Sequence, residues 1–148
     1  MNAAEQFTHW RPVRRDLLRA LDVLGDEQLT FVPREGLWSL GEVACHIAGV
    51  EEGWYRYVIT GGLPAWPNYR VKDYSTVEAV KRLLTEVHDR TQAYLETVDE
   101  RSLDQVFSTA WGDVSLRWVI WHVLEHEIHH RGEIYLMLGL MGMEAPDV

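Results

Sequence analysis

The sequence contains a single cysteine, Cys45, among its 148 residues. An internal disulfide is therefore excluded, and this cysteine usage predicts a cytoplasmic protein. No stretch approaches the roughly 20 consecutive apolar residues that a membrane-spanning helix requires. The first residues have neither the basic start nor the apolar run of a secretion signal, so we expect no export of the chain.

Basic residues are also scarce: the sequence has 14 Lys and Arg and 23 Asp and Glu, which gives a formal net charge of −9. A duplex-binding protein needs a basic stripe to displace counterions, and the sequence has none. Nucleic acid is therefore not an expected partner, and anionic membranes are disfavoured for the same reason. The length and ordinary globular composition predict one domain that covers residues 1–148.

Segments of alternating polarity are missing as well, so the sequence predicts no sheet. Apolar residues recur instead at helical spacing. Four segments have this pattern: residues 3–24, 39–60, 75–98 and 115–141. Pro12 predicts a kink in the first segment or a later start near Trp10 or Arg11. The fold class that follows is an all-α, up-down four-helix bundle, in which facing side chains commonly build metal and cofactor sites.

Capping pairs predict where two of these helices begin. Ser39 with Glu42, and Ser75 with Glu78, have the spacing at which each side chain bonds the backbone N–H of the other. Two prolines predict a loop over residues 61–74. Residues 99–114 are expected to be irregular, since no helical or strand pattern covers them.

Histidine carries the most distinctive chemistry of the sequence. Four of the seven histidines lie on the last predicted helix: His122, His126, His129 and His130. Side chains four residues apart share a helix face, so either His122 with His126 or His126 with His130 can hold one ion. Burial of several imidazoles without partners is costly, and the cluster therefore favours a metal site. A solvated histidine face is the alternative.

A metal site with catalytic potential usually has three protein ligands and an open position, so one more ligand is needed. His46 on the second predicted helix is the best candidate. Gly49 and Gly53 share its face and leave room for an ion and a ligand, although they could equally serve only to let two helices approach. Cys45 points about 100° away from His46 and is interpreted as a packing residue.

The order of these motifs resembles the DinB/YfiT-like superfamily of bacterial four-helix metalloproteins. Trp38 and Ser39 precede His46, and the motif His-Glu-Ile-His-His-Arg-Gly-Glu occupies residues 126–133. The segment at residues 138–146 also resembles the ending of that family, so the likeness covers nearly the whole chain. Glu133 departs from the family pattern, which often has glutamine there.

The resemblance implies that His46, His126 and His130 bind one divalent metal ion, with zinc, nickel or iron all suitable. It leaves His122 as a neighbouring polar residue, and Glu133 as a group that orients a ligand or reaches the metal. Family members of known activity use the metal with a low-molecular-weight thiol. The implied function is therefore transfer of a thiol, or of water, to a small electrophilic substrate, and the implied assembly is a homodimer.

Three other interpretations compete with this one. Residues 126–130 fit His-Glu-x-x-His, the zinc hydrolase motif with Glu127 as general base, but the extended form of that motif fails at Glu133 and Leu136. Glu127 with His130 also forms half of a di-iron signature, whose second half is missing. A non-catalytic metal-binding, small-molecule-binding or stress-response module is the strongest alternative.

The sequence has seven tryptophans, most of which we expect in the core or at an interface. Trp54, near the His46 face, and Trp66 and Trp111, in the predicted connections, are candidates for the lining of a pocket.

Overall fold

The computed structural model describes residues 1–148 and is mostly helical. Its helices are α1 (Ala3–Gln6), α2 (Trp10–Asp22), α3 (Leu40–Glu52), α4 (Val77–Thr97) and α5 (Leu116–Leu140), and its strands are β1 (Val106–Thr109) and β2 (Gly112–Ser115). A π-helix, Gly53–Ile59, continues α3, and short 3₁₀ turns occupy Asp26–Thr30, Val71–Asp73 and Glu100–Ser102. No helix combines the length and the hydropathy that crossing a membrane would require.

The predicted first helix is divided into α1 and α2. Pro12 lies in the first turn of α2, which begins at Trp10. The first N–H groups of a helix have no intrahelical acceptor, so proline is tolerated at this place. Of the two outcomes predicted for Pro12, the later start is therefore confirmed.

The two predicted capping boxes had different outcomes. Ser39 caps α3 as predicted: its hydroxyl accepts from the Glu42 N–H at 3.2 Å, and the Glu42 carboxylate accepts from the Ser39 N–H at 2.6 Å. The box at Ser75 was wrong, because Thr76 caps α4 by accepting from the Ala79 N–H. The Val77 N–H, which a box would leave free, donates to the distant Asp26 side chain at 2.8 Å.

The prediction that the chain has no sheet was also wrong. Strands β1 and β2 form an antiparallel hairpin, in the register that pairs Val106 with Ser115 and Thr109 with Gly112. Each strand has only four residues, too few for a period-two pattern to stand out from the sequence. Gly112 has φ 114°, a left-handed conformation that glycine adopts without a Cβ clash and that allows the tight connection.

The long helices run in an order other than the predicted up-down order. Two apolar clusters fill the interior: the first contains Leu17, Leu40, Leu84 and Leu138, and the second contains Trp10, Trp54, Leu95 and Leu116. Along the chain, α2 and α5 pass from the second cluster to the first, whereas α3 and α4 pass from the first to the second. The order is therefore up-down-down-up. Because α3 and α4 run in the same direction, the connection over residues 60–76 must return from the end of one helix to the start of the next. It is long enough to do so, since an extended chain covers about 3.3 Å per residue and a helix only about 1.5 Å.

A layer of buried charge separates the two apolar clusters. Its centre is Arg14 of α2, whose guanidinium donates to Glu127 of α5 at 2.7 and 2.9 Å, to Glu51 of α3 at 2.5 Å and to the Leu84 carbonyl of α4 at 2.6 Å. His88 of α4 contacts the other oxygen of Glu51 at 2.9 Å. Arg14 thus contacts each of the other three long helices, and a charge in a low-dielectric interior requires this degree of pairing.

Candidate metal centre

Three histidines from two helices meet beside the buried charge layer. His46 of α3 and His126 and His130 of α5 present ring nitrogens that all lie within 4.8 Å of one another. The two closest are Nε2 of His46 and Nε2 of His126, at 2.9 Å. The structure therefore brings together the three residues that the sequence analysis singled out, including the pair from α5 that the resemblance favoured.

The electrostatics disfavour a charge on two of these imidazoles, those of His46 and His126. Partial burial and the nearby His130 lower the pKa of His46, against a smaller opposing effect of Glu133. Burial lowers the pKa of His126 to about 3, and His130 and His46 act in the same direction. Neutral rings keep a lone pair for a metal ion, whereas protonated rings would repel both one another and the ion.

The donor set fits a divalent transition-metal ion. Imidazole nitrogens are ordinary ligands of zinc, nickel and iron. In a tetrahedral zinc site, bonds of about 2.0–2.1 Å put neighbouring nitrogens roughly 3.3 Å apart, a value between the shortest separation found here and the 4.8 Å limit of the group. Because three residues converge, the set leaves at least one coordination position for a non-protein ligand.

Two side chains hold the histidines in orientation. Oε2 of Glu133 lies 2.8 Å from Nδ1 of His130, an arrangement that fixes a proton on Nδ1 and leaves Nε2 free as a ligand. The Trp38 indole packs on His46, with ring centroids 4.7 Å apart, and more loosely on His130 at 6.4 Å. Of the two roles open to Glu133, the structure therefore favours orientation of a ligand over direct binding in the three-histidine group.

The other histidines lie outside the group. His122 stacks on Trp118 with ring centroids 4.5 Å apart, one turn before His126. His129 is exposed and lies 3.3 Å from Glu133, so that His129, His130 and Glu133 form a second, more exposed set with metal-ligand spacing. His88, which belongs to the buried charge layer, has a structural role.

The zinc-hydrolase interpretation lacks its general base. The Glu127 side chain is only 1% exposed, and its oxygens accept from Arg14 and from Nε1 of Trp10 at 2.7 Å. Because successive residues of a helix are about 100° apart, Glu127 faces the charge layer while His126 faces the histidine group. Cys45 lies outside the three-histidine group, and burial and the nearby Glu42 raise the pKa of its thiol to about 11.

A family model described as the DinB superfamily matches residues 9–134. The chain belongs to the DinB superfamily. The matched segment contains all three histidines of the group. Among curated proteins, none matches the chain significantly.

Solved structures share the fold of this DinB-superfamily chain. A DinB-like protein from Bacillus cereus superposes with a TM-score of 0.76 at 23% identity, over 95% of this chain and 93% of the other. A DinB-like protein from Bacillus subtilis gives 0.77 at 22% identity, over 95% and 94%. A conserved protein from Enterococcus faecalis gives 0.70 at 12% identity, over 96% and 99%. At these identities the likeness concerns the fold alone.

Two cavities adjoin the histidine group of this DinB-superfamily protein. One, of about 520 Å³, is lined by Trp38 and His46 and by the loop that follows the π-helix, which contributes Arg70 and Lys72. The other, of about 1010 Å³, is lined by His126 and by aromatic residues that include Trp54, Trp66 and Trp111. All three tryptophans that the sequence suggested for a pocket thus line the same cavity.

The glycines beside His46 face this loop rather than another helix. A Cβ at Gly53 would lie 2.5 Å from the Trp66 ring, so glycine is required for Trp66 to pack where it does. A Cβ at Gly49 would meet Pro67 and Tyr69 at an ordinary 3.8 Å. At Gly53, neither interpretation from the sequence holds, because the space that the missing side chain leaves is filled by the Trp66 indole.

The charge layer is the polar feature that sequence reasoning missed. Arg14 lies on the apolar face of α2, next to Val13 and one turn before Leu17, both buried. A single charged residue on such a stripe was a signal for a buried ion pair, but the sequence did not reveal its partners on α3 and α5.

Proposed function

We propose that this chain is a metal-dependent enzyme of the DinB type, with one divalent ion bound by His46, His126 and His130 between α3 and α5. The observation that carries the proposal is the convergence of three imidazoles at the junction of two cavities. A structural metal site is usually closed by four protein ligands, whereas a three-ligand set beside open space suits catalysis.

The reaction we propose is transfer of a low-molecular-weight thiol, or of water, to a small electrophile. A divalent ion with an open position lowers the pKa of a thiol or water that binds to it, which makes the nucleophile available at neutral pH. The residues of the chain contribute orientation: Glu133 holds His130 in one tautomer, and Trp38 packs against His46 at 4.7 Å.

The cavity of about 520 Å³ supports a thiol that carries a carboxylate. It combines His46 with Lys72, which forms no ion pair within the chain, and with Arg70, which pairs with Asp73 at 3.4 Å; Glu42 is the one carboxylate in its lining. Local positive charge beside the site would attract an anionic small molecule that the overall charge repels. We therefore assign the thiol to this cavity and the electrophile to the other one.

Metal content of untagged protein, measured by elemental analysis, tests the first half of the proposal. We expect about one metal per chain in the unaltered protein, and its loss in His46→Ala and in His130→Ala. His129→Ala is the matched control, because it removes an imidazole of the exposed second set and leaves the three-histidine group complete. Metal retained in His46→Ala but lost in His129→Ala would move the site to the second set and refute the proposal.

Thiol conjugation tests the second half. Metal-loaded protein is assayed with glutathione and other small thiols against a panel of electrophiles, with the His46→Ala variant as control. Metal-dependent conjugation is the expected result. Bound metal with no conjugation or hydrolysis across the panel would favour a non-catalytic binding module instead.

The expected homodimer stays a proposal, which one surface supports. An apolar stripe on α5 includes Ile128, Leu136 and Leu140, with exposed fractions of 41%, 64% and 57%. Stripes of this kind on a water-soluble helix commonly mark an interface. Sedimentation equilibrium should give a dimer that Leu136→Glu dissociates, whereas a monomer in the unaltered protein would exclude this assembly.

A further inference from the structure

The cavity of about 1010 Å³ has an unusual wall. Four of its residues are tryptophans, contributed by four different parts of the chain: Trp54 of the π-helix, Trp66 of the following loop, Trp111 of the hairpin and Trp118 of α5. No Asp, Glu, Lys or Arg lines the cavity. Its lining therefore differs from that of the smaller cavity across the histidine group, which includes Glu42, Arg70 and Lys72.

The four indoles form one connected arrangement around Trp54. Its ring centroid lies 6.1 Å from that of Trp66, 5.7 Å from that of Trp111 and 5.6 Å from that of Trp118. Trp66 and Trp111 are in addition nearly perpendicular, at 82°. Edges and faces that meet in this way leave flat apolar surfaces against which a further ring can stack or abut.

Part of this surface faces solvent. Trp111 is 69% exposed and Trp118 is 45% exposed, whereas Trp54 is only 6% exposed. Exposed indole surface in contact with water carries a free-energy cost that a flat apolar ligand would relieve. The π-helix, a rare form found often at functional sites, positions Trp54 and Tyr57 in the wall.

We propose that this cavity binds an uncharged, planar aromatic group of a small molecule. The inference rests on the proposed function, because it assigns the aromatic group to the electrophilic substrate. His126 belongs both to the cavity wall and to the histidine group, so a ligand seated among the tryptophans lies next to the position of the nucleophile. The absence of a carboxylate from the wall favours a neutral occupant over a cationic one.

Isothermal titration calorimetry with 2-naphthol tests this directly, with decahydro-2-naphthol as the saturated counterpart of similar size. The full chain is expected to bind 2-naphthol and to bind the saturated alcohol at least several-fold more weakly, because only the aromatic ring stacks on indole. Equal affinity for the two alcohols, or tighter binding of choline than of 2-naphthol, would overturn the proposal.

Two exposed tryptophans provide a matched pair of variants. Trp111→Ala removes a wall residue, and we expect the affinity for 2-naphthol to fall on the order of five-fold. Trp121→Ala is the control: Trp121 is also exposed, at 58%, but it packs on Phe7 outside the cavity. Equal affinities in the two variants would contradict the assignment of the site, and Trp118→Ala provides a second wall variant should Trp111→Ala fold poorly.

The His46→Ala variant separates this inference from the proposed function. His46 does not line the tryptophan cavity, so its loss should leave 2-naphthol binding unchanged even as the metal is lost. Conversely, Trp111→Ala should retain the metal. A protein that binds metal and conjugates thiols but does not bind 2-naphthol would refute only the inference about the aromatic cavity.

Discussion

Two polar clusters lie on different faces of α5, the charge layer buried and the histidine group half-buried, and their polar atoms find partners in different ways. In the charge layer, Glu127 and Glu51 both bond Arg14, and Trp10 and His88 add further contacts. In the histidine group, the two closest nitrogens of His46 and His126 have chiefly each other as partners. One cluster pairs its charges within the chain, and the other gathers imidazole nitrogens that can serve as metal ligands.

The difference indicates which cluster serves the fold and which serves a ligand. A buried charge set whose members all have partners tolerates little change, because removal of one member leaves the others unpaired. A group of half-buried imidazoles at the edge of two cavities costs less to keep, and it stabilises the fold when a metal binds. Four predictions test this contrast, in order of decreasing effect.

Arg14→Ala should cause the largest loss of stability. It leaves two carboxylates buried without their cation, for which we expect a loss of about 3–5 kcal/mol in the free energy of unfolding. Arg15→Ala is the control: the Arg15 side chain is 64% exposed, and its partner Asp16 keeps Arg19 and Arg131 nearby, so a loss of about 1 kcal/mol or less is expected. Urea unfolding measures both, and equal losses would mean that the charge layer contributes little to the fold.

The charge layer should also make stability sensitive to acid. Burial alone raises the pKa of Glu51, but Arg14 and His88 outweigh burial and lower the pKa to about 2. A depressed carboxyl pKa contributes stability above the unfolded value, near 4.3, and this contribution of roughly 3 kcal/mol is lost as the pH falls from that value through about 2.

As the pH is lowered from 6 to 2, the free energy of unfolding should therefore fall more steeply in the unaltered protein than in Glu51→Gln, which has no carboxyl to protonate at this position. Parallel curves for the two proteins would mean that Glu51 titrates alike in the folded and unfolded states.

The histidine group should show the opposite behaviour, with stability that depends on a ligand. At a free metal concentration about 100-fold above Kd, binding should stabilise the folded chain by about 2.7 kcal/mol. Thermal unfolding with zinc, nickel and ferrous ions, each against EDTA, measures the effect. His126→Ala should abolish the metal-dependent shift in the unfolding temperature and leave the stability in EDTA nearly unchanged. A large loss of stability in EDTA would show instead that the histidine group, like the charge layer, serves the fold.

The smallest effect concerns Glu133, which we interpret as the residue that orients His130. Glu133→Ala should weaken metal binding by about ten-fold, the lower end of the range for groups that orient metal ligands. Glu125→Ala removes an exposed carboxylate from the same helix and controls for charge. Competition with a chromophoric chelator gives both affinities, and a total loss of binding in Glu133→Ala would make Glu133 a metal ligand.

Much of the helical structure and the histidine group could be predicted because the signals were local. The Ser39–Glu42 cap needs only four residues, and the apolar face of α4 from Val80 to Leu95 repeats at helical spacing. His46, 80 residues before His126, was the best candidate for a third ligand from the residues alone, but the choice of His126 with His130 over His122 with His126 came only from the family resemblance. The relative directions of the helices could not be predicted, since nothing local distinguishes a parallel from an antiparallel pair of helices.

The features that the sequence did not predict depend on contacts made in the folded chain. Thr76 caps α4 in place of Ser75, and Asp26, far away in sequence, accepts from the next N–H at 2.8 Å. The hairpin is too short to show a pattern, and the π-helix beginning at Gly53 lies where Trp66 packs closely. The partners of Arg14 likewise come from three other helices, which no local pattern specifies.

The contacts of Arg14 also bear on how the protein folds. Its acceptors lie 37, 70 and 113 residues away along the chain, on α3, α4 and α5. An intermediate in which only two of the long helices have docked must either keep this guanidinium in water or bury it with acceptors missing. Partly assembled states are thereby penalised relative to both the native and the unfolded ensembles, and a single sharp unfolding transition is expected. The hydrogen bonds of one arginine thus couple the docking of all four long helices.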